Sequence, residues 1–233
     1  AVVQQPTYRI CLLSDDLSGT PDEGVKKFTM SIAEALRGQH DVHVLSTSHS
    51  SAIPGVRCVS TSRTFLGRPL RREIRQLQPE VLVYATRRSA TFFSFIRSRI
   101  LRLYAPSATL ILFGLQTRQH PRWQQWIIRG IRPDLICVQS DANGAYLQGL
   151  GCQVAIVPSG VDTRVFHPID AIRKCELREQ YGLDPHKPVA LHVGHLQHGR
   201  GIRTLADLAA TGACQVVLVT SSSTFQDANL ERE

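Results

Sequence analysis

The sequence predicts an α/β protein: a doubly wound parallel sheet, followed by the opening of a second, incomplete α/β domain. Three observations carry this. Short continuous apolar runs recur along the chain (RICLLS, DVHVLST, EVLVYAT, ATLILF, DLICVQS), the pattern of strands buried on both faces of a parallel sheet. Amphipathic stretches at helical spacing lie between them. The alternation then begins again beyond Pro168, where Pro188 to Gly194 (PVALHVG) opens a new buried strand. Strands alternating with helices make a parallel sheet with helices on its faces.

Arg9 to Ser14 is the first strand. Thr20-Pro21-Asp22-Glu23 reads as a helix start, with Thr at the N-cap, Pro at the first helical position and Glu three residues after the cap. Val25, Phe28, Ile32 and Leu36 repeat at helical spacing until Gly38 ends the run. Asp41 to Thr47 and the short Val56 to Ser60 are strands. Pro69 to Gln78 is a helix with Leu70, Ile74 and Leu77 on one side and Arg71, Arg72 and Arg75 on the other. Glu80 to Thr86 is a buried strand.

Ala90 to Leu103 is a helix whose apolar face collects Phe92, Phe93, Ile96, Ile100 and Leu103, flanked by Arg97, Arg99 and Arg102. Such a stripe either packs on the sheet or, being basic and aromatic, lies in a membrane interface. Ala108 to Phe113 is the next strand. A helix from Pro121 to Gly130 carries Trp123, Trp126 and Ile127, whose spacing predicts packing. Asp134 to Ser140 is a strand, and Ser140-Asp141 caps a helix running to Leu150, with Gly151 as its stop. Gln153 to Val157 brings the sheet to six or seven strands.

Pro168 is the expected end of this first domain, residues 1–168. A linker, 169–186, holds a charged helix from Asp170 to Tyr181 and a Gly182-Leu183-Asp184-Pro185 turn. Residues 187–233 then read as strand, loop, a helix from Ile202, a strand from Gln215 to Thr220 and the start of another helix at Phe225. About sixty-five residues after Pro168 are too few for a complete doubly wound domain.

The charge of +8 is unevenly placed. Arg63 to Arg132 holds fourteen arginines, no lysine and two acids, a net +12, so the remainder sums to −4. A basic surface of this kind attracts anionic lipid head groups, phosphorylated substrates or nucleic acid, or is a solvated face that maintains solubility. No recognisable nucleic-acid module accompanies it, and nucleic acid is not an expected partner. No apolar run approaches the roughly eighteen residues that cross a bilayer, and Tyr8 to Leu13 is too short for a secretory signal. The six cysteines form no CxxC pair and no Cys/His ligand spacing; the expectation is an intracellular, cytoplasmic protein without structural disulfides or a metal site. The loop after the first strand lacks GxGxxG, so dinucleotide binding is not supported.

The chain is organised around Val157-Pro158-Ser159-Gly160-Val161-Asp162-Thr163-Arg164-Val165-Phe166-His167-Pro168. This stretch resembles the domain-junction motif of nucleotide-sugar-dependent glycosyltransferases of the GT-B fold, in particular the retaining family 4. There it reads Asn-Gly-Val-Asp with Phe and Pro a few residues on; Ser159 stands in place of the Asn. A second likeness lies at Gly194-His195-Leu196-Gln197-His198-Gly199-Arg200-Gly201. It is similar to the family's Gly-Arg-Leu, gap, Lys-Gly, which holds the donor diphosphate, with His195 replacing the Arg and Arg200 the Lys. A cation at a strand end beside a glycine-opened helix N-terminus suits a diphosphate. An ordinary histidine pKa near 6.5 leaves His195 mostly neutral at pH 7 unless a bound diphosphate raises it.

The resemblance implies more. Gly24 matches the second glycine of a family pair near the donor phosphates or acceptor, with Glu23 in place of the first; otherwise it is a helix-start glycine. Ser159 and Gly160 fall at the cleft. His120 is the nearest histidine to one that relatives carry after the fifth strand, or it merely precedes a helix. The family's two glutamates spaced eight apart have no counterpart up to Glu233. The implied activity is a metal-independent, retaining hexosyl transfer from a nucleotide-sugar to a carbohydrate or lipid-linked acceptor. Peripheral attachment to the inner face of an anionic membrane through Arg63–Arg132 accompanies it. The alternatives are a non-catalytic subunit that needs a partner chain, and a sugar-nucleotide epimerase of the same fold.

Overall fold

The computed structural model of the chain describes residues 6–18, 24–87, 89–194 and 201–220. They divide into two compact units, one through Gly160 and one from Val161. The Thr20 cap and the helix expected after Phe225 lie outside the described residues.

The first unit alternates strand and helix, except that its second and third strands follow one another. Its order is β1 (Arg9–Ser14), α1 (Gly24–Arg37), β2 (Asp41–Ser46), β3 (Val56–Cys58), α2 (Arg68–Leu77), β4 (Val81–Ala85), α3 (Phe92–Tyr104), β5 (Thr109–Phe113), α4 (Arg122–Gly130), β6 (Leu135–Val138), α5 (Asp141–Gly149) and β7 (Val154–Ile156). All seven strands are parallel, in the order β3-β2-β1-β4-β5-β6-β7. The predicted doubly wound sheet is therefore present.

Register is set where acids stand just before strands. Glu80 Oε2 accepts from the Arg9 amide at 2.9 Å and Asp134 Oδ2 from the Leu110 amide at 2.7 Å, so carboxylates complete the ladder at the sheet's N-terminal edge. Arg102 also donates to Asp134. Burial works to raise the Asp134 carboxyl, but the bonds from Arg102 and the Leu110 amide outweigh it and hold it below its ordinary range.

Alternate strand residues feed two cores, as a period of two requires. Cys11, Leu13, Leu82, Tyr84, Leu112 and Ile136 face α2, α3, α4 and α5, while Ile10, Leu12, Val44 and Val83 face α1. Cys11 behaves as a small apolar group: burial, with the Glu73 charge, pushes its thiol up to about 12. All six cysteines are free thiols.

The face of α3 differs from expectation. Ser94, Phe95, Ser98, Ile100, Leu101 and Tyr104 are the buried positions, whereas Phe93 and Leu103 are exposed. Apolar residues occur all round this helix, so several stripes satisfied the helical period. Close approach to the sheet selected the one with two serines, and Ser98 Oγ satisfies itself on the Ser94 carbonyl at 2.9 Å. The helix opens on a capping box between Thr91 and Ser94. Helix α4 also departs from expectation: Trp123 and Trp126 are 59% and 76% exposed, and its buried residue is Ile128.

The second unit contains α6 (Ala171–Gln180), β8 (Val189–Val193), α7 (Ile202–Ala210) and β9 (Gln215–Val219), with β8 and β9 paired in parallel. Asp170 caps α6 by accepting from the Arg173 amide at 2.7 Å. Arg178 Nη1 donates to the Asp184, Pro185 and Lys187 carbonyls at 2.8–2.9 Å and so shapes the predicted turn. Gly201 caps α7 at φ +71°, a backbone that favours glycine. No described residue of this unit is buried, and Leu191, Val193, Leu218 and Val219 are exposed. No described helix is long and apolar enough to cross a membrane.

Candidate functional site at the switch point of the sheet

Strand order reverses between β1 and β4, from which the chain runs outward in both directions. In open α/β sheets the crevice beyond the carboxyl ends of two such strands is where ligands bind. A cleft of about 500 Å³ opens there, lined by residues that follow β1, β2, β3 and β4 and by the first turns of α3. Its polar groups come from Asp15, Thr47, Thr61, Ser62, Arg63, Thr86, Arg87, Thr91, Ser94 and Arg97, and its apolar wall from Phe65 and Phe93.

Two of its lining residues, Asp15 and Arg97, form a network with the buried Tyr84. Asp15 Oδ1 accepts from the Tyr84 hydroxyl at 2.9 Å and from Arg97 Nη1 at 3.0 Å, and Oδ2 accepts from the Arg87 amide at 3.1 Å. Arg97 Nη1 also donates to the Tyr84 oxygen at 2.9 Å, and its Nε donates to the Arg63 carbonyl at 2.8 Å. The guanidinium stacks 4.9 Å from the Phe65 ring centroid. Burial, then the Asp15 charge, pushes the Tyr84 phenol well above its ordinary value, so it stays a neutral donor. Burial works to lower Arg97, but Tyr84 and Asp15 more than offset this.

Beside this network, Asp16 accepts from Ser18 Oγ at 2.6 Å and pairs with Arg87 at 3.3 Å. Burial works to raise the Asp16 carboxyl, yet the Ser18 bonds, Arg87 and Lys26 hold it below its ordinary range. Lys26 is itself buried and donates to the Ser18 carbonyl at 2.8 Å. These contacts tie the end of β1 to α1. The arrangement is cationic and rich in hydroxyls, and suits a polyhydroxylated or anionic ligand.

Of the residues singled out in the sequence, Gly24, His120, Ser159 and Gly160 do not line this cleft. Gly24 is the exposed first residue of α1 with open space around it. Ser159 Oγ accepts from Gln139 Nε2 just past β7, and Gly160 is exposed beside it. His120 is 6% exposed, stacked on Tyr146 with ring centroids 6.1 Å apart and edge-on to Phe95. Its Nδ1 lies 3.1 Å from the Tyr146 hydroxyl, which also accepts from the His120 amide at 2.8 Å. Burial lowers its pKa, the Ala90 carbonyl only partly opposing. His120 does not line the cleft. His195 and Arg200 lie outside the described residues. Among the described residues no three His, Cys, Asp or Glu side chains converge as metal ligands would.

Asp15, Tyr84 and Arg97 were the residues that sequence reasoning passed over. In the sequence Arg97 reads only as the flank of an amphipathic helix and Tyr84 only as part of a buried strand. The available signal was positional: an acid immediately after the first strand of a doubly wound sheet stands at the ligand crevice.

No protein-family model and no curated protein sequence matches the chain. Solved structures do. A glycosyltransferase from Rickettsia africae ESF-5 superposes with a TM-score of 0.61 at 12% identity, over 97% of this chain and 71% of that one. An α-glucosyltransferase in complex with UDP and a 13-mer DNA containing a HMU base gives 0.52 at 12% identity, over 97% and 69%. A further α-glucosyltransferase complex, with UDP and a 13-mer DNA bearing an A:G mismatch, gives 0.50 at 15%, over 98% of this chain and 59% of that one. At these identities the shared property is architecture: the chain has an α/β, Rossmann-like fold, as these glycosyltransferases do.

Proposed function

We propose that the protein is a glycosyltransferase that moves a sugar from a nucleotide-sugar to an acceptor held in the cleft of the first unit. The observation that carries this reading is the polar, hydroxyl-rich cleft at the switch point of a sheet whose architecture is that of UDP-bound glucosyltransferases. The donor end of the reaction belongs to the β8–α7 connection. There His195, Arg200 and the α7 N-terminus take the diphosphate, and charge developing on the leaving nucleotide is stabilised by fixed donors. Transfer in this reading is metal-independent and retains the anomeric configuration, with a hexose as the transferred sugar. Uridine is the first nucleotide to test.

The acceptor is a carbohydrate or lipid-linked carbohydrate, reached from an anionic membrane surface through the Arg63–Arg132 region. The exposed Trp123 and Trp126, with Arg122 and Arg129 on the same helix, support that attachment. A second reading is favoured by the exposed Leu191, Val193, Leu218 and Val219: further protein covers these faces, and if a partner chain supplies it this chain is a non-catalytic subunit.

The test is turnover of UDP-hexoses by the complete protein against a panel of sugars, glycolipids and DNA, with product anomers assigned by NMR. Transfer is expected, and Arg200→Ala should lower turnover at least about tenfold, the loss of one charge-assisted contact. Unchanged kinetics would remove Arg200 from the site, and exclusive glucosylation of DNA would replace the acceptor class.

A further inference from the structure

The cleft holds a cation that pairs with no carboxylate among the described residues. Arg97 is neutralised internally, because Asp15 accepts from it and from Tyr84 on one oxygen and from the Arg87 amide on the other. Arg87 faces Asp16. Arg63 differs: among the described residues no carboxylate lies within ion-pair distance of it. Its guanidinium is instead laid 5.5 Å from the Phe93 ring centroid at the cleft wall, and its backbone is held by Arg97 Nε on its carbonyl. An exposed arginine positioned at both backbone and side chain, beside a cleft, has its donor fork presented to whatever enters.

The surroundings select the same chemistry. Thr47, Thr61, Ser62, Thr86 and Thr91 line the cleft with hydroxyls, and Asp15, the single acid among the described lining residues, already accepts three hydrogen bonds. The N-terminal turn of α3, whose Thr91 and Ser94 line the cleft, adds the positive end of a helix dipole. A volume of about 500 Å³ falls within the usual range of small-molecule sites.

We propose that this cleft takes a phosphorylated polyol, its hydroxyls meeting the Thr and Ser side chains and its phosphate meeting the Arg63 guanidinium. As the identity of the sugar acceptor, this rests on the glycosyltransferase reading; as a binding statement it stands alone. The phosphate belongs either to a free sugar phosphate or to the phospho-polyol head group of a lipid, and the chemistry at Arg63 is the same. Binding weakens with ionic strength, since Arg63 is exposed.

The experiment compares ligands on the complete protein. Calorimetric titration with hexose 6-phosphate is set against the unphosphorylated hexose. Co-sedimentation with phosphatidylcholine vesicles carrying phosphatidylglycerol, whose head group is a phospho-polyol, is set against vesicles carrying phosphatidic acid. At least about tenfold preference for the phosphorylated polyol is expected in one arm, which identifies the source, with a comparable loss in Arg63→Gln and partial retention in Arg63→Lys. Equal binding of the paired ligands, no binding in either arm, or an unchanged affinity in Arg63→Gln overturns the proposal. Nucleotide-sugar consumption is measured on the same preparations. Preference for the phosphorylated polyol without consumption sinks the glycosyltransferase reading alone, and consumption without that preference sinks this inference alone.

Discussion

Arg97 Nη1 donates at once to Asp15 Oδ1 and to the Tyr84 hydroxyl, at 3.0 and 2.9 Å, joining a helix to a strand end 82 positions earlier in the chain. Both charged side chains are less than one-fifth exposed. Removing one partner strands the other in a poorly solvated place. Asp15→Asn is expected to destabilise the protein by about 2 kcal/mol, below the range for fully buried pairs because some solvent reaches both groups. Urea unfolding of Asp15→Asn, Arg97→Met and the double variant checks this. A coupling of at least about 1 kcal/mol is expected, and additive losses would show that the two side chains act independently.

His120 makes stability depend on pH near neutrality. Burial lowers its folded-state pKa beneath the unfolded value of about 6.5. Between those two values the unfolded chain binds the extra proton and the folded chain does not. Stability from this group is therefore complete above about pH 6.5 and declines as pH falls toward the folded value. NMR titration of the His120 ring should give a midpoint below 6.5, and the unfolding free energy of His120→Gln should lose this part of its slope between pH 7.5 and 5.5. A ring titrating at or above 6.5 would mean solvent reaches the imidazole.

Gly114 follows β5 where the chain passes Ala90 closely. A β-carbon built on it would lie 2.7 Å from the Ala90 β-carbon, and Ala90 is held by its amide on the Gln116 carbonyl at 2.7 Å. Neither side can yield cheaply. Gly114→Ala should cost about 1–3 kcal/mol by overpacking, read as a lowered thermal midpoint, whereas Gly130→Ala, in open space on α4, should not. Equal behaviour of the two variants would show that the Ala90 segment moves aside.

Much of the architecture was legible along the chain. RICLLS and EVLVYAT became β1 and β4 because a strand buried on both faces must be apolar at every position, and the Ser140 cap was readable because capping is local, its side chain accepting from the Asn143 amide. Periodicity failed at α3, where apolar side chains surround the helix, and at α4, where two tryptophans at helical spacing face outward.

By itself, then, the sequence determined the order of strands and helices, the second β-loop-α-β opening, the uneven charge and the family likeness at Ser159–Pro168. These depend on neighbours a few residues apart. Only the tertiary structure decided that Asp15, Tyr84 and Arg97 meet, that Arg63 lies over Phe93, and that His120 is walled in by Phe95 and Tyr146. The reason is physical. A parallel sheet brings together the ends of strands separated by a whole crossover, and which side chains meet there is set by strand order and by the helix face that packs, neither of which leaves a periodic mark in the chain.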